Sequence, residues 1–326
     1  MADLKTRYLN LELKSPVILG SSPMTGSLDN LKRAEDNGAG AVVLRSLFEE
    51  LITDEARITV DSASGFMPFS DAANFLEGAS RDYFLNQYLK LVQDAKKSLS
   101  IPVIPSICCN THGAWVEYAK RFEACGADAI ELNYYILASD SRITGQQVEK
   151  MYQNLIKAAR KAVSIPLAIK IGRQFSSLSN MIHVFERLGV DGIVLFNRFV
   201  RADIDLESLK ISPGMVLGSK ADYSETLRWI ALMAAETKVD FAASTGIHDS
   251  DTVIKMLIAG AKCAQLTSAV YNEGFEVIGR YNNAIEQFMD KHHFSSLNDF
   301  IGILAQERIS QPEEWERAQY MRVQSK

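Results

Sequence analysis

The stretch DFAASTGIHDSDTVIKMLIAGAKCAQLTSAVYNEG, Asp240 to Gly274, decides how this chain folds. Phe241-Ala242-Ala243 is a short apolar run ending in Ser244-Thr245-Gly246. An amphipathic segment follows, with Val253, Met256 and Leu257 on one face, Asp249 or Ser250 as N-cap and Gly260 closing it. Cys263 to Leu266 is a second run, ending in Thr267-Ser268 before another helical pattern. Two adjacent strands thus finish in small hydroxyl and glycine residues, each beside a helix start. Backbone N–H groups and helix dipoles at such ends suit a dianionic phosphate. Either turn alone reads as an ordinary strand–helix connection. As a consecutive pair they predict a phosphate site at Thr245, Gly246, Thr267 and Ser268, and in (β/α)₈ barrels a phosphate often sits after strands seven and eight.

Working back from there, the same alternation recurs along the chain. Tyr8 to Leu13 reads as a lead-in hairpin strand and Val17 to Leu19 as strand one, ending in Gly20-Ser21-Ser22. Strand two is Ala41 to Leu44, followed by Arg45-Ser46, and strand three is Pro102 to Ile107, leading into Cys108-Cys109-Asn110-Thr111-His112. Strand four, Ala129 to Leu132, delivers Asn133; strand five, Leu167 to Ile169, delivers Lys170; strand six, Gly192 to Phe196, delivers Asn197. Leu47 to Ser80 and Ser208 to Gly218 show no clean period and read as long excursions of the functional kind. Between them the helical pattern starts at Asp82, and another runs from Tyr223 to Thr237. His292 to Lys326 reads as a charged helical tail. The prediction is a single α/β domain over 1–326, a (β/α)₈ barrel with an N-terminal hairpin and a C-terminal helical tail. A doubly wound sheet fits less well, because no G-x-G-x-x-G follows strand one and polar residues close nearly every strand.

The 326 residues are 47% hydrophobic, enough for one large core. A formal charge of −5 supplies no basic field, which weighs against nucleic acid or an anionic membrane as partner. No apolar run approaches the length of a membrane span, and the N-terminus lacks a signal-peptide core. Four cysteines, two of them adjacent, make neither a disulfide framework, a zinc spacing nor an iron–sulfur motif, so reduced thiols in the cytoplasm are expected.

The strand ends bring together Ser21, Arg45, Ser46, Asn110, Asn133, Lys170, Asn197, Thr245, Gly246, Thr267 and Ser268, with no Asp or Glu. Such a set speaks against a carboxylate-held metal and against a two-carboxylate glycosidase. Lys170 suits a Schiff base, or a positive charge beside a ring that becomes anionic on reduction. Asn133, Lys170 and Asn197 on consecutive strands favour the second reading: they match the edge of a planar heterocycle such as a flavin.

On these residues the chain resembles the class 1 dihydroorotate dehydrogenase family of FMN-dependent (β/α)₈ enzymes along nearly its whole length. The shared landmarks are Gly40-Ala41-Val42-Val43 with Ser46, Gly126 through Asn133, Pro166 through Lys170, Thr245-Gly246-Ile247, and Ala259 through Gly274. Pro105-Ser106-Ile107-Cys108 through Trp115 is also similar to the flavin barrel of dihydropyrimidine dehydrogenase. The resemblance implies FMN, with its phosphate on Thr245, Gly246, Thr267 and Ser268 and with Gly218-Ser219 nearby. It implies catalytic positions beside the ring at Asn133, Lys170 and Asn197, and further flavin contacts at Ser21, Arg45 and Ser46. It also implies a small-molecule substrate of pyrimidine synthesis, a homodimer, and a separate electron-transfer partner.

The substrate half departs from the family. Where the family reads E-L-N-x-S-C-P-N, this chain reads Glu131-Leu132-Asn133-Tyr134-Tyr135-Ile136-Leu137-Ala138. The family's general base falls on Ile136, which takes no proton, and an orotate-binding asparagine falls on Ala138. A second orotate-binding stretch, N-x-M-G-L-P-N, aligns with Ala72 through Gly78 and keeps little of it. Arg45 stands where the family has a lysine. Oxidation of a C–C bond beside a carbonyl needs a proton acceptor, so Ser139, Ser141, Tyr134, Tyr135, Cys109 and His112 are the replacements to consider. The reading is an FMN-dependent oxidoreductase acting on CH–CH groups with a changed substrate. A flavin-binding protein without turnover and a flavin-free aldolase using Lys170 stand as alternatives.

Overall fold

The computed structural model describes residues 2–49, 70–108, 112–198, 202–214 and 217–316, of which 70–81, 112–113 and 213 are described by backbone alone. Thr6–Tyr8 and Leu11–Leu13 pair antiparallel across a tight turn in which Leu9 and Asn10 both take positive φ, the conformation a two-residue hairpin turn requires. The chain then enters a parallel sheet of ten segments. Two strands are each broken once. Val42–Val43 and Leu47–Phe48 are the halves of strand two, and Val103–Ile104 and Ser106–Cys108 the halves of strand three. First half pairs with first half and second with second, so ten segments make eight strands.

The other six are Val17–Leu19, Ile130–Asn133, Leu167–Ile171, Gly192–Leu195, Asp240–Ala243 and Cys263–Leu266, strands one and four to eight. Strand eight pairs with strand one and strand one with strand two, which closes the ring. The fold is the (β/α)₈ barrel expected. Its strands read as unbroken apolar runs because helices cover their outer face while side chains fill the inside.

Alternation along each strand sorts the core. Ile18, Val43, Ile104, Ala129, Ala168, Val194, Ala242 and Cys263 form one inner cluster with Tyr8, Leu9 and Leu13 of the hairpin. Their sequence neighbours, among them Val17, Leu19, Val42, Ile169 and Phe241, join the helices in an outer cluster. The hairpin plugs the N-terminal mouth: the Leu9 N–H donates to Asp240 Oδ2 at 2.8 Å. A Cβ at Gly192 would stand 2.5 Å from Leu9 Cδ2, so any larger residue on strand six would push the Leu9 side chain out of its place in the plug. With the lower barrel filled, the next inward residues along strands three, four, five and eight are Ser106, Glu131, Lys170 and Gln265, all buried.

Three segments differ from the sequence reading. The expected excursion from Leu47 to Ser80 is shorter at both ends: Leu47–Phe48 belongs to strand two, and the second helix runs from Ser70 to Ser98, the single Gly78 costing about 1 kcal/mol in a helix interior, too little to break it. Residues 50–69 of that excursion lie outside the described residues. After strand six, Ala202–Asp205 and Lys210–Pro213 form an antiparallel hairpin, whose short Ile204 and Ile211 alternation was too brief to read. The segment from His292 is neither one helix nor detached. It makes 3-10 turns at Leu297–Asp299 and Gln306–Arg308 and one turn of helix at Glu313–Glu316. The Gly302 and Leu304 N–H groups donate to Leu257 and Ile258 carbonyls, and Leu297 and Phe300 are fully buried. Gly302 and closely spaced apolar residues broke the helical period that charge alone had suggested.

Phe300 meets the rings of Phe288 at 5.4 Å and Phe294 at 5.3 Å. Phe300→Ala is expected to destabilise the protein by roughly 3–5 kcal/mol, the usual range for emptying a buried phenylalanine site. Urea unfolding followed by circular dichroism would show a lower midpoint; an unmoved midpoint would mean that the C-terminal strap is no part of the cooperative fold.

Candidate functional site

At the C-terminal end of the barrel lies a cavity of about 340 Å³, in the range of small-molecule sites. Ser21, Lys170, Asn197, Gly218, Thr245, Gly246, Thr267 and Ser268 all contribute to its wall, so eight of the expected residues meet in one place. Gln265 and Lys170 form its inner end.

The strand-seven and strand-eight end is shaped by backbone. Thr245 (φ 78°) and Gly246 (φ 77°) are consecutive left-handed residues. For a β-branched threonine this conformation is strained by about 1–3 kcal/mol, and such strain collects at ligand clamps. The Thr245 hydroxyl donates to the Phe196 carbonyl at 2.8 Å and holds the turn. A Cβ on Gly246 would lie 2.2 Å from Tyr223 N, so only glycine lets the two loops close together. Opposite, a Cβ on Gly20 would stand 2.9 Å from Thr267 Oγ1 and crowd that side chain. The Gly218 N–H donates to Ser268 Oγ at 3.2 Å, tying the strand-six loop to the strand-eight end. His248 also lines the cavity, and its Nε2 is buried without a hydrogen-bond partner among the described residues.

The remaining polar groups form a net. Ser46 Oγ lies 3.1 Å from Ser21 Oγ and 2.8 Å from Ser106 Oγ, and accepts from Asn133 Nδ2 at 3.1 Å. Asn197 Nδ2 donates in turn to Asn133 Oδ1. Strands one, two, three, four and six are thereby joined, and the amides of Asn133 and Asn197 are held in fixed orientations. Beneath them Lys170 Nζ donates to Gln265 Oε1 at 3.1 Å, and Gln265 Nε2 donates to Glu131 Oε2 at 2.7 Å.

Two expected residues stand apart. Arg45 is exposed and lies outside the cavity wall, and Ser219 gives its N–H to Asp222 Oδ2 at 2.8 Å. Asn110 and Cys109 lie outside the described residues, as does the side chain of His112. A rim free of carboxylates was also too strict a reading. Asp222 lines a second chamber of about 190 Å³, which shares Asn197, Arg198 and Thr245 with the first and adds Tyr135, Arg173 and Gln174. Arg173 pairs with Glu225, and Arg198 Nε lies 3.6 Å from Asp222 Oδ2.

Of the residues weighed as proton acceptors, Ser139 and Ser141 are exposed on the strand-four loop. Tyr134 is packed edge-on against Trp115 and Tyr152, and burial pushes its phenol up. Tyr135 lines the second chamber and lies against Gly172, where a Cβ would come within 2.7 Å of its ring. The reading of strand ends missed Gln265, Glu131 and Ser106 because they sit one layer inside the rim. Their signal was available: each is a polar residue at an inward position of an otherwise apolar strand.

Residues 3–289 match the family model for dihydroorotate dehydrogenase. The chain is 24% identical over 313 residues to the catalytic subunit of dihydroorotate dehydrogenase B (NAD(+)) of Thermoplasma acidophilum, covering 93% of this chain and 99% of the relative. It is 27% identical over 306 residues to the like-named subunit of Methanocaldococcus jannaschii, covering 92% and 97%. With the NAD-dependent dihydropyrimidine dehydrogenase subunit PreA of Escherichia coli K12 it shares 24% over 335 residues, covering 97% and 80%. Among the described residues no helix is long and apolar enough to cross a membrane. The match over nearly the whole length, on a barrel whose polar groups converge at one mouth, places the chain in the dihydroorotate dehydrogenase family.

Proposed function

We propose that the protein is an FMN-dependent oxidoreductase acting on a C–C bond beside a carbonyl, with a substrate other than dihydroorotate. The observation that carries the reading is the cavity itself, with buried Lys170 at one end and the Thr245-Gly246 and Thr267-Ser268 turns at the other. The residues fit the cofactor: glycines keep the cradle clear, His248 Nε2 lacks a hydrogen-bond partner among the described residues, and the inner end is polar. Thr245, Gly246, Thr267, Ser268 and Gly218 would hold the phosphate, and Asn133, Lys170 and Asn197 the ring edge. When bound, the flavin supplies a two-electron acceptor or donor. Lys170 contributes positive charge from a buried position, where it is screened least. Membership of a dehydrogenase family weighs for this reading over a Schiff-base aldolase.

The relatives are named for dihydroorotate and dihydropyrimidine, which makes a pyrimidine-like ring the starting point for the substrate. Ile136 cannot serve as base, and the second chamber adds Tyr135, Arg173, Gln174 and Arg198 to the contacts a substrate would meet. Tyr135 is the proton-transferring group we assign. Several relatives are named as subunits, which supports a separate partner chain; that the partner carries electrons, and that the protein is a homodimer, are part of what we propose.

Anaerobic mixing of the FMN-loaded protein with dihydroorotate is expected to leave the flavin oxidised; bleaching of its visible absorbance would restore dihydroorotate as substrate. The double substitution Thr267→Val/Ser268→Ala should weaken FMN binding by about tenfold to a hundredfold, as loss of hydrogen bonds to a charged group does, while riboflavin binding holds. Equal loss for both ligands would move the phosphate elsewhere.

A further inference from the structure

Three side chains in the barrel interior form a line: Glu131, Gln265 and Lys170, on strands four, eight and five. They are 1%, 2% and 8% exposed, and Lys170 and Gln265 face the cavity. The direction of the line is fixed by chemistry. An ammonium only donates and an ionised carboxylate only accepts, so the amide between them has one orientation that satisfies both. Its NH₂ turns to Glu131 at 2.7 Å and its oxygen to Lys170 at 3.1 Å. A neutral glutamine at 131 would leave Lys170 alone to direct the amide and would remove the negative charge behind it.

The carboxylate is poorly rewarded for this. Among the described residues its other oxygen, Glu131 Oε1, is buried without a hydrogen-bond partner, as is the hydroxyl of Tyr8 in the hairpin plug. A half-satisfied buried carboxylate destabilises a fold, and apolar or neutral replacements at such places are often neutral or stabilising. Tyr8, Cys263 and Asp240 share this interior, and none of them brings a positive charge to Glu131. The single cation on the line is Lys170.

We propose that Glu131 is a positioning residue acting through Gln265: it holds the Lys170 ammonium at the inner end of the cavity and offsets part of its charge, and so sets the reduction potential of the bound flavin. The inference rests on the FMN reading. Glu131 itself touches neither cavity nor cofactor; its influence reaches the site through the amide and through its charge in a poorly screened interior. Removing that charge should favour the reduced, more negative ring. Moving it one side chain nearer should disfavour it.

The test is the midpoint potential of bound FMN, by anaerobic reductive titration against a reference dye, in wild type, Glu131→Gln and Gln265→Glu. Glu131→Gln is expected to shift the potential to more positive values. In Gln265→Glu the two carboxylates would share one proton, leaving the same charge closer to Lys170, and the potential should become more negative. The two variants carry the prediction independently, so one that fails to fold leaves the other decisive. Potentials unchanged from wild type, or shifted in the same direction, would overturn the proposal. So would loss of FMN from both folded variants, since the line would then serve binding alone. Wild-type protein that binds no FMN would instead refute the functional reading on which this one stands.

Discussion

The constraint on which this molecule depends is the filling of its barrel from one end. Inward positions alternate along every strand, and the lower ones are apolar and capped by Tyr8 and Leu9 of the hairpin. That plug leaves no exit for polar side chains except toward the C-terminal mouth. Glu131, Lys170, Gln265 and Ser106 stand directly above it, buried and mutually hydrogen-bonded or joined to the rim net. The apolar half sets the height of the polar half. The cavity floor is therefore part of the core, and its rotamers are fixed by the same packing that stabilises the fold.

Above the floor the site divides into two halves of different construction. One end is shaped mainly by backbone: the left-handed pair Thr245-Gly246, the close approach at Gly20 and the Gly218 bond to Ser268. The other is built of long side chains from loops, Tyr135, Arg173 and Arg198, with their carboxylate partners Glu225 and Asp222. Backbone cradles tolerate little change, because glycine alone fits. Loop side chains can be exchanged without disturbing the barrel.

How far the sequence could be read follows from the same geometry. Strands one to eight were legible because each is a short apolar run closed by polar or small residues, and strand eight was placed to the residue. Thr245, Gly246, Thr267, Ser268 and Asn197, which line the main cavity, were legible because they follow those runs. Gln265 and Glu131 were not, since a polar residue inside an apolar run reads as noise until its partner across the barrel is known. Arg45 follows strand two as expected, but it is exposed and stands outside the cavity wall. The C-terminal strap was misread because its backbone bonds to Leu257 and Ile258 through Gly302 and Leu304, and Phe300 packs on the rings of Phe288 and Phe294, none of which follows a helical period.

The central claim is that the main cavity holds a flavin by its phosphate and its ring edge together. It is tested most directly by titrating purified protein, stripped of small molecules, with FMN and with riboflavin while following flavin fluorescence. One-to-one binding of FMN, with riboflavin at least tenfold weaker, is the predicted result. Absence of binding, or equal affinity for the two, would contradict it.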